Sequence, residues 1–275
     1  MTTREALGPH RSTTLGGAPA GLTWPAAVAS AFLVIPVTAV VLRAPWASLG
    51  ERLTSTTAQE ALRLSVATTL LSTLLCLVFG VPLAWVLART DFRGRSAVRA
   101  LVVLPLVLPP VVGGVALLLA FGRNGVVGHW LDVAFGITIP FTTAAVVLAQ
   151  TFVALPFLVI SVEGALRASD ERYDEAAATL GASRWLTFRR VTLPLAWPGI
   201  VSGAVLCWAR ALGEFGATIT FAGSFPGTTQ TLPPAVYLAL RSEPDTAIAL
   251  SLLLIVVSVT VLALLRERWL SGVSA

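Results

Sequence analysis

Apolar residues run through the chain in six stretches separated by short polar ones. They fall at roughly 25–42, 62–88, 98–121, 141–162, 195–222 and 246–265. Each is long enough to cross a bilayer as a helix, which takes about 20 mainly apolar residues. The pattern predicts an all-α membrane protein with six transmembrane helices. The first run follows a polar tail with Arg4 and Arg11 and ends before Arg43 without a clear small-residue cleavage site, so it reads as an uncleaved span. The start of the second, with Glu60 and Arg63, sits near the headgroups.

The third run, "VVLPLVLPPVVGGVALLLAF", carries Pro105, Pro109, Pro110, Gly113 and Gly114. Proline frees backbone groups that must be satisfied elsewhere, so this span is expected to pack against neighbours. Gly113 and Gly114 allow close backbone approach. Two readings stay open: a kinked structural helix, or a bend beside a translocation pathway.

Between the fourth and fifth runs lie about 30 residues rich in helix signals. Ser169 is an N-cap candidate, with Asp170 and Glu171 in the first turn where the helix dipole favours negative charge. Helical spacing puts Tyr173, Ala176, Ala177 and Leu180 on one stripe. Gly181 suits a left-handed stop. Ser183 can cap a second short helix through Trp185, Leu186, Phe188 and Arg189 that ends before Pro194. The segment is too short and interrupted to span. An interfacial helix on anionic lipid is one reading, but Asp170, Glu171, Asp174 and Glu175 oppose it. A protein partner with a groove fits better, because alanines let another surface come close.

Composition then narrows the class. Of 275 residues, 56% are hydrophobic and 12% charged, far below the ~25% charged of soluble domains. The net charge of +5 therefore says little about nucleic acid, and no nucleic-acid partner is expected. All 19 basic residues are arginine. Without lysine, a phosphate-binding P-loop lacks its phosphate-contacting residue, and Schiff-base catalysis is excluded. Placing the N-terminus in the cytoplasm puts thirteen arginines on the inside and five on the outside, with Arg210 within a span. The positive-inside rule thus puts both termini and the charged segment in the cytoplasm. Cys76 and Cys207 lie in apolar runs far apart in sequence, and His10 and His129 are isolated; they suggest neither a disulfide, a metal site nor a catalytic constellation.

The stretch "EAAATLGASRWLTFRRVTLPLAWP" resembles the EAA loop of ABC-transporter permeases: Glu175, Ala176 and Ala177, then Gly181, then Val191, Leu193, Pro194 and Pro198. Valine stands where isoleucine is usual. The resemblance covers about residues 60–265. It implies that the loop, 167–194, is a coupling helix held in a cleft of a separate cytoplasmic ATPase. Tyr173, Glu175, Ala176, Ala177, Leu180, Gly181 and Arg184 are then the docking residues. The implied organisation is a tail at 1–24, a first helix and external loop at 25–58, the permease domain at 59–266 and a tail at 267–275.

In the fifth run Arg210 and Glu214 are one helical turn apart and well inside the membrane. Charges there normally pair and face the protein interior. They read either as an ion pair that orders packing or as a source of positive potential for an anion; with Pro109, Pro110 and Gly113 they form the pathway or packing set. "ARALGEFGAT" is similar to the oxyanion branch of these permeases, which carry sulfate, molybdate or tungstate, and "FAGSFPGTTQTLPPAVY" resembles the molybdate members more than the sulfate ones. The resemblance implies a homodimer, an external substrate-binding protein, two ATPase subunits and no cofactor. Ser224, Thr228, Thr229, Gln230 and Thr231 read equally as an outer vestibule, a binding-protein contact or a solvated loop. An integral-membrane enzyme would need convergent ionisable groups, and the spans offer only Arg210, Glu214 and Glu163 near a boundary. A docking scaffold needs neither the Arg–Glu pair nor proline-bent spans.

Overall fold

The computed structural model describes residues 20–170 and 172–270, with side chains for 21–170 and 172–263. Arg4, His10, Arg11, Glu171, the side chains of Arg266 and Arg268, and most of the two tails lie outside the described residues.

In chain order the helices are α1 (Ala20–Leu42), α2 (Leu49–Thr54), α3 (Thr56–Arg89), α4 (Arg95–Val107), α5 (Pro110–Phe121), α6 (Gly128–Phe135) and α7 (Thr143–Ala168). Then come α8 (Arg172–Thr179), α9 (Arg184–Thr187), a π turn (Phe188–Thr192), α10 (Leu193–Leu212), α11 (Gly216–Phe221), α12 (Leu232–Ser242) and α13 (Pro244–Leu270). No strand occurs among the described residues. Helix α1 belongs to a unit of its own that ends at Arg43, and the other helices form a second unit. Among the described residues, five helices are long and apolar enough to cross a membrane: α1, α3, α7, the continuous run Arg184–Leu212, and α13.

The second unit is built on α3, α7 and α10. Their contact surfaces are mostly small: Cys76 and Ala84 from α3, Ala154 from α7, and Ala196, Cys207 and Ala211 from α10, with Leu158, Val162 and Leu166 filling the space between. Small residues suit helix pairs in lipid, where association comes from close packing and not from expulsion of water. A smaller core joins α5, α7 and α11 through Leu117, Val146, Val153, Ala217 and Phe221.

The sequence pattern predicts single helices where the structure has breaks. The third run is two helices, because Leu108 and Pro109 are both extended (ψ 134° each). Each precedes a proline, whose ring disfavours the α conformation in the residue before it. The fifth run is likewise cut, between Leu212 and Gly216. Conversely, the short helix expected to end before Pro194 continues into α10. The Leu193 N–H reaches back five residues to Phe188 C=O, so Pro194 enters a helix already widened out of α register. Ser169 does not cap α8 either. It closes α7, its Oγ donating to Leu166 C=O, while Asp170 Oδ1 accepts the Arg172 N–H at the start of α8.

Candidate functional site

Two places in the second unit gather the candidate residues. The first is the polar segment after α7. Helix α8 ends in a Schellman turn: Ala182 N–H bonds Ala177 C=O, Gly181 N–H bonds Ala178 C=O, and Gly181 has φ +80°. Ser183 Oγ accepts the Leu186 N–H and starts α9. On the stripe, Tyr173, Ala176 and Leu180 are exposed, Leu180 to 87%, and Ala177 is half-buried. Glu175 and Arg184 instead line a cavity of about 340 Å³ beneath α8, together with Trp85, Arg89, Asp174, Phe188 and Thr192. The seven residues thus divide between an outward stripe with its turn and an inner cavity wall.

Several residues not singled out by the sequence tie this segment to the spans. Arg89, the last residue of α3, meets Asp174 (Nε–Oδ2 3.5 Å) and donates to Ser169 Oγ (2.7 Å). Thr192 Oγ1 donates to Asp174 Oδ1 at 2.9 Å. Nearby, Glu163 on α7 pairs with both Arg99 and Arg167, joining α4 to α7. Glu163 and Arg167 stand at i,i+4 spacing, but nothing in the spacing flags the other ties, whose partners are 18 to 85 positions apart (Thr192 to Asp174, Asp174 to Arg89).

The second place is where the two interrupted spans meet. A Cβ on Gly216, the first residue of α11, would stand 2.6 Å from Pro110 Cβ. One on Gly114 would stand 2.7 Å from Thr220 Cβ, and one on Gly113 would stand 3.2 Å from Phe152 Cε1. Glycine lets α5 lie directly on α11, so the two half-helices start side by side. Arg210 and Glu214 flank this junction, with Nη2–Oε2 at 2.6 Å. Glu214 is 1% exposed, and its other oxygen accepts the Ala217 N–H at 2.8 Å. The expected ion pair is present, but it bridges the gap after α10 and does not lie along one helix. In the single chain Pro109 and Pro110 are exposed, although Pro110 lies against Gly216.

The polar residues 224–231 form a folded turn. Thr229, Gln230 and Thr231 are buried, Thr229 Oγ1 accepts the Phe225 N–H, and Gln230 Nε2 donates to Ser224 Oγ. For these three the solvated-loop reading does not hold: their side chains are buried, and the turn satisfies them only in part, since Gln230 Oε1 and Thr231 Oγ1 have no hydrogen-bond partner. At the α3 N-terminal end, Gln230 also lines a cavity of about 510 Å³ with Glu51, Arg52 and Glu243. Cys76 and Cys207, distant in sequence, are buried free thiols in one core, the Cys76 thiol donating to Thr151 C=O. His129 lies on α6 against Trp130.

Several apolar spans, two of them interrupted at one junction, and a polar helix beyond them define a membrane subunit of a transporter. The chain belongs to the family of binding-protein-dependent transport system inner membrane components, whose pattern matches residues 80–272. It is 55% identical over 237 residues to the molybdenum transport system permease protein ModB of Mycobacterium tuberculosis, covering 86% of this chain and 89% of that one. To ModB of Escherichia coli K12 it is 42% identical over 215 residues, covering 78% and 94%. Its fold is shared with a bacterial ABC transporter involved in import of the acidic polysaccharide alginate (TM-score 0.73, 19% identity, 90% of this chain and 93% of that chain). It is shared also with the MetNI methionine ABC transporter in an inward-facing conformation (TM-score 0.60, 21% identity, 78% and 95%).

Proposed function

We propose that this chain is the permease subunit of an ATP-driven importer and forms, as a homodimer, the passage for molybdate. One observation carries the transport reading: the break between α4 and α5 is exposed, with extended backbone at Leu108 and Pro109. Irregular backbone at membrane depth is tolerated only where protein covers it or water reaches it. A second copy facing this break would enclose a hydrated path beside the junction of α5 and α11 and the Arg210–Glu214 pair. Counted as one crossing in two halves, α4 and α5 bring the spans to six. The arginine distribution supports cytoplasmic termini.

The stripe Tyr173, Ala176, Ala177 and Leu180, with the Gly181 turn, is the surface offered to a cytoplasmic ATPase, a separate chain. Glu175 and Arg184 border it. The 510 Å³ cavity lies at the other end of α3, where an external binding protein would deliver the anion. Molybdate as cargo rests on likeness to the two relatives named as molybdenum permeases. Glu214 cancels most of the field of Arg210, so the binding protein, and not this pair, selects the anion.

Thiol labelling tests the path. Cys76 and Cys207 are buried, so a new cysteine can be read alone. Val107→Cys, at the break, should react with a membrane-impermeant thiol reagent in the assembled transporter, whereas Phe32→Cys in α1 should react only with a permeant one. Equal behaviour of the two would remove the hydrated path.

A further inference from the structure

In the sequence Asp174 is one of four acidic residues that oppose binding of the segment to anionic lipid. Its surroundings give it a more specific task. Helix α8 touches the π turn on one side and otherwise stands over the 340 Å³ cavity, which Trp85 near the end of α3 and Phe188 in the π turn also line. Among the described residues, every side-chain hydrogen bond or ion pair joining α8 to another helix runs through Asp174. One carboxylate oxygen faces Arg89 on α3; the other accepts from Thr192, where the π turn meets α10. Both partners are firmly seated. The Arg89 side chain is 8% exposed and also holds Ser169 at the end of α7, and Thr192 is 2% exposed.

We propose that Asp174, clasped by Arg89 and Thr192, is the positioning residue that passes movement of α8 into α3 and α10. This rests on the reading that α8 docks the ATPase. A helix standing over a cavity cannot push through apolar contact until the cavity closes, so displacement is transmitted first through its fixed points. Asp174 is such a point, and it reaches two core spans at once. The Arg89–Asp174 contact is an ion pair at 3.5 Å, and burial of the Arg89 side chain with the hydrogen bond from Thr192 strengthens it beyond an exposed salt bridge. The clasp acts on coupling between sites, and not on docking or on the anion.

The test uses the full transporter with its ATPase, reconstituted with the binding protein, and reads two quantities: ATPase retained on purification, and molybdate moved per ATP hydrolysed. Asp174→Asn and Arg89→Ala should retain the ATPase within about twofold, yet lose about tenfold in molybdate per ATP. Thr192→Val removes one hydroxyl and should lower the same ratio without affecting folding. The exchanged pair, Arg89→Asp with Asp174→Arg, should recover part of it. Wild-type ratios in Asp174→Asn and Thr192→Val would overturn the proposal, as would a loss of transport that merely follows loss of ATPase. A Gly181→Trp control separates the underlying reading: if it keeps the ATPase, docking at α8 is wrong; if it loses the ATPase while Asp174→Asn couples normally, only the clasp is wrong.

Discussion

Glu214 is 1% exposed and uses both carboxylate oxygens, one on Arg210 and one on the Ala217 N–H. Removing Arg210 alone would leave that carboxylate buried without its counter-charge, which costs about 3–5 kcal/mol. Arg210→Ala is therefore expected to lower the melting temperature in detergent sharply. Arg210→Ala with Glu214→Ala should be less damaged, since no charge is stranded; a double variant worse than both singles would reject the pairing. The four-residue spacing made this pair legible in the sequence. Its place across a helix break was not, because Gly213 inside an apolar run looks like any other small packing residue until Glu214 is seen holding the next helix's N–H. Gly181 was legible for a stronger reason: it follows a helix with no apolar residue able to continue the stripe, and its φ of +80° is one that other residues adopt at a cost of about 1–2 kcal/mol. Gly181→Trp combines that strain with bulk on the docking face. ATPase co-purification should fall by roughly tenfold or more, each factor of ten being about 1.4 kcal/mol.

At the scale of elements, the apolar pattern located the long helices but not the interruptions. Hydropathy does not change at Leu108 and Pro109; what changes is a steric rule between neighbours, written in the Pro109-Pro110 dipeptide. The π turn was harder to foresee, since Pro194 reads as a helix end until the Leu193–Phe188 bond shows how the chain accommodates it. Tertiary ties such as Arg89–Asp174 carry no local signal at all. The junction of α5 with α11 depends on glycine at position 216, where a Cβ would meet Pro110 at 2.6 Å. Gly216→Leu should force the half-helices apart, with an overpacking cost of about 1–3 kcal/mol. Membrane insertion should survive and transport should fail, while Gly164→Leu, where a Cβ meets nothing within 4 Å, should be tolerated. Equal transport by the two variants would contradict the role given to the junction.

At the scale of the whole molecule, the two ends have different equipment. One carries an exposed helix on a polar clasp; the other carries a cavity bordered by Glu51, Arg52 and Glu243. Between them lies the exposed break, which lipid cannot cover. In a two-fold assembly, nucleotide-driven movement of α8 would reach α3 and α10, and α10 leads directly to Arg210 and the junction. On the proposed function, the passage would then be switched by a bistable packing of helices, biased at one end by ATP and at the other by the loaded binding protein. The chain has no lysine and so lacks the phosphate-contacting residue of a P-loop, which agrees with the proposal that the ATPase is a separate subunit. The central claim is tested most directly by reconstituting the chain in liposomes with its ATPase and binding protein and measuring ATP-dependent uptake of labelled molybdate and sulfate. Molybdate uptake that requires both partners, with sulfate left outside, is the expected result. Sulfate uptake in preference to molybdate, or molybdate entry that proceeds without the ATPase, would contradict it.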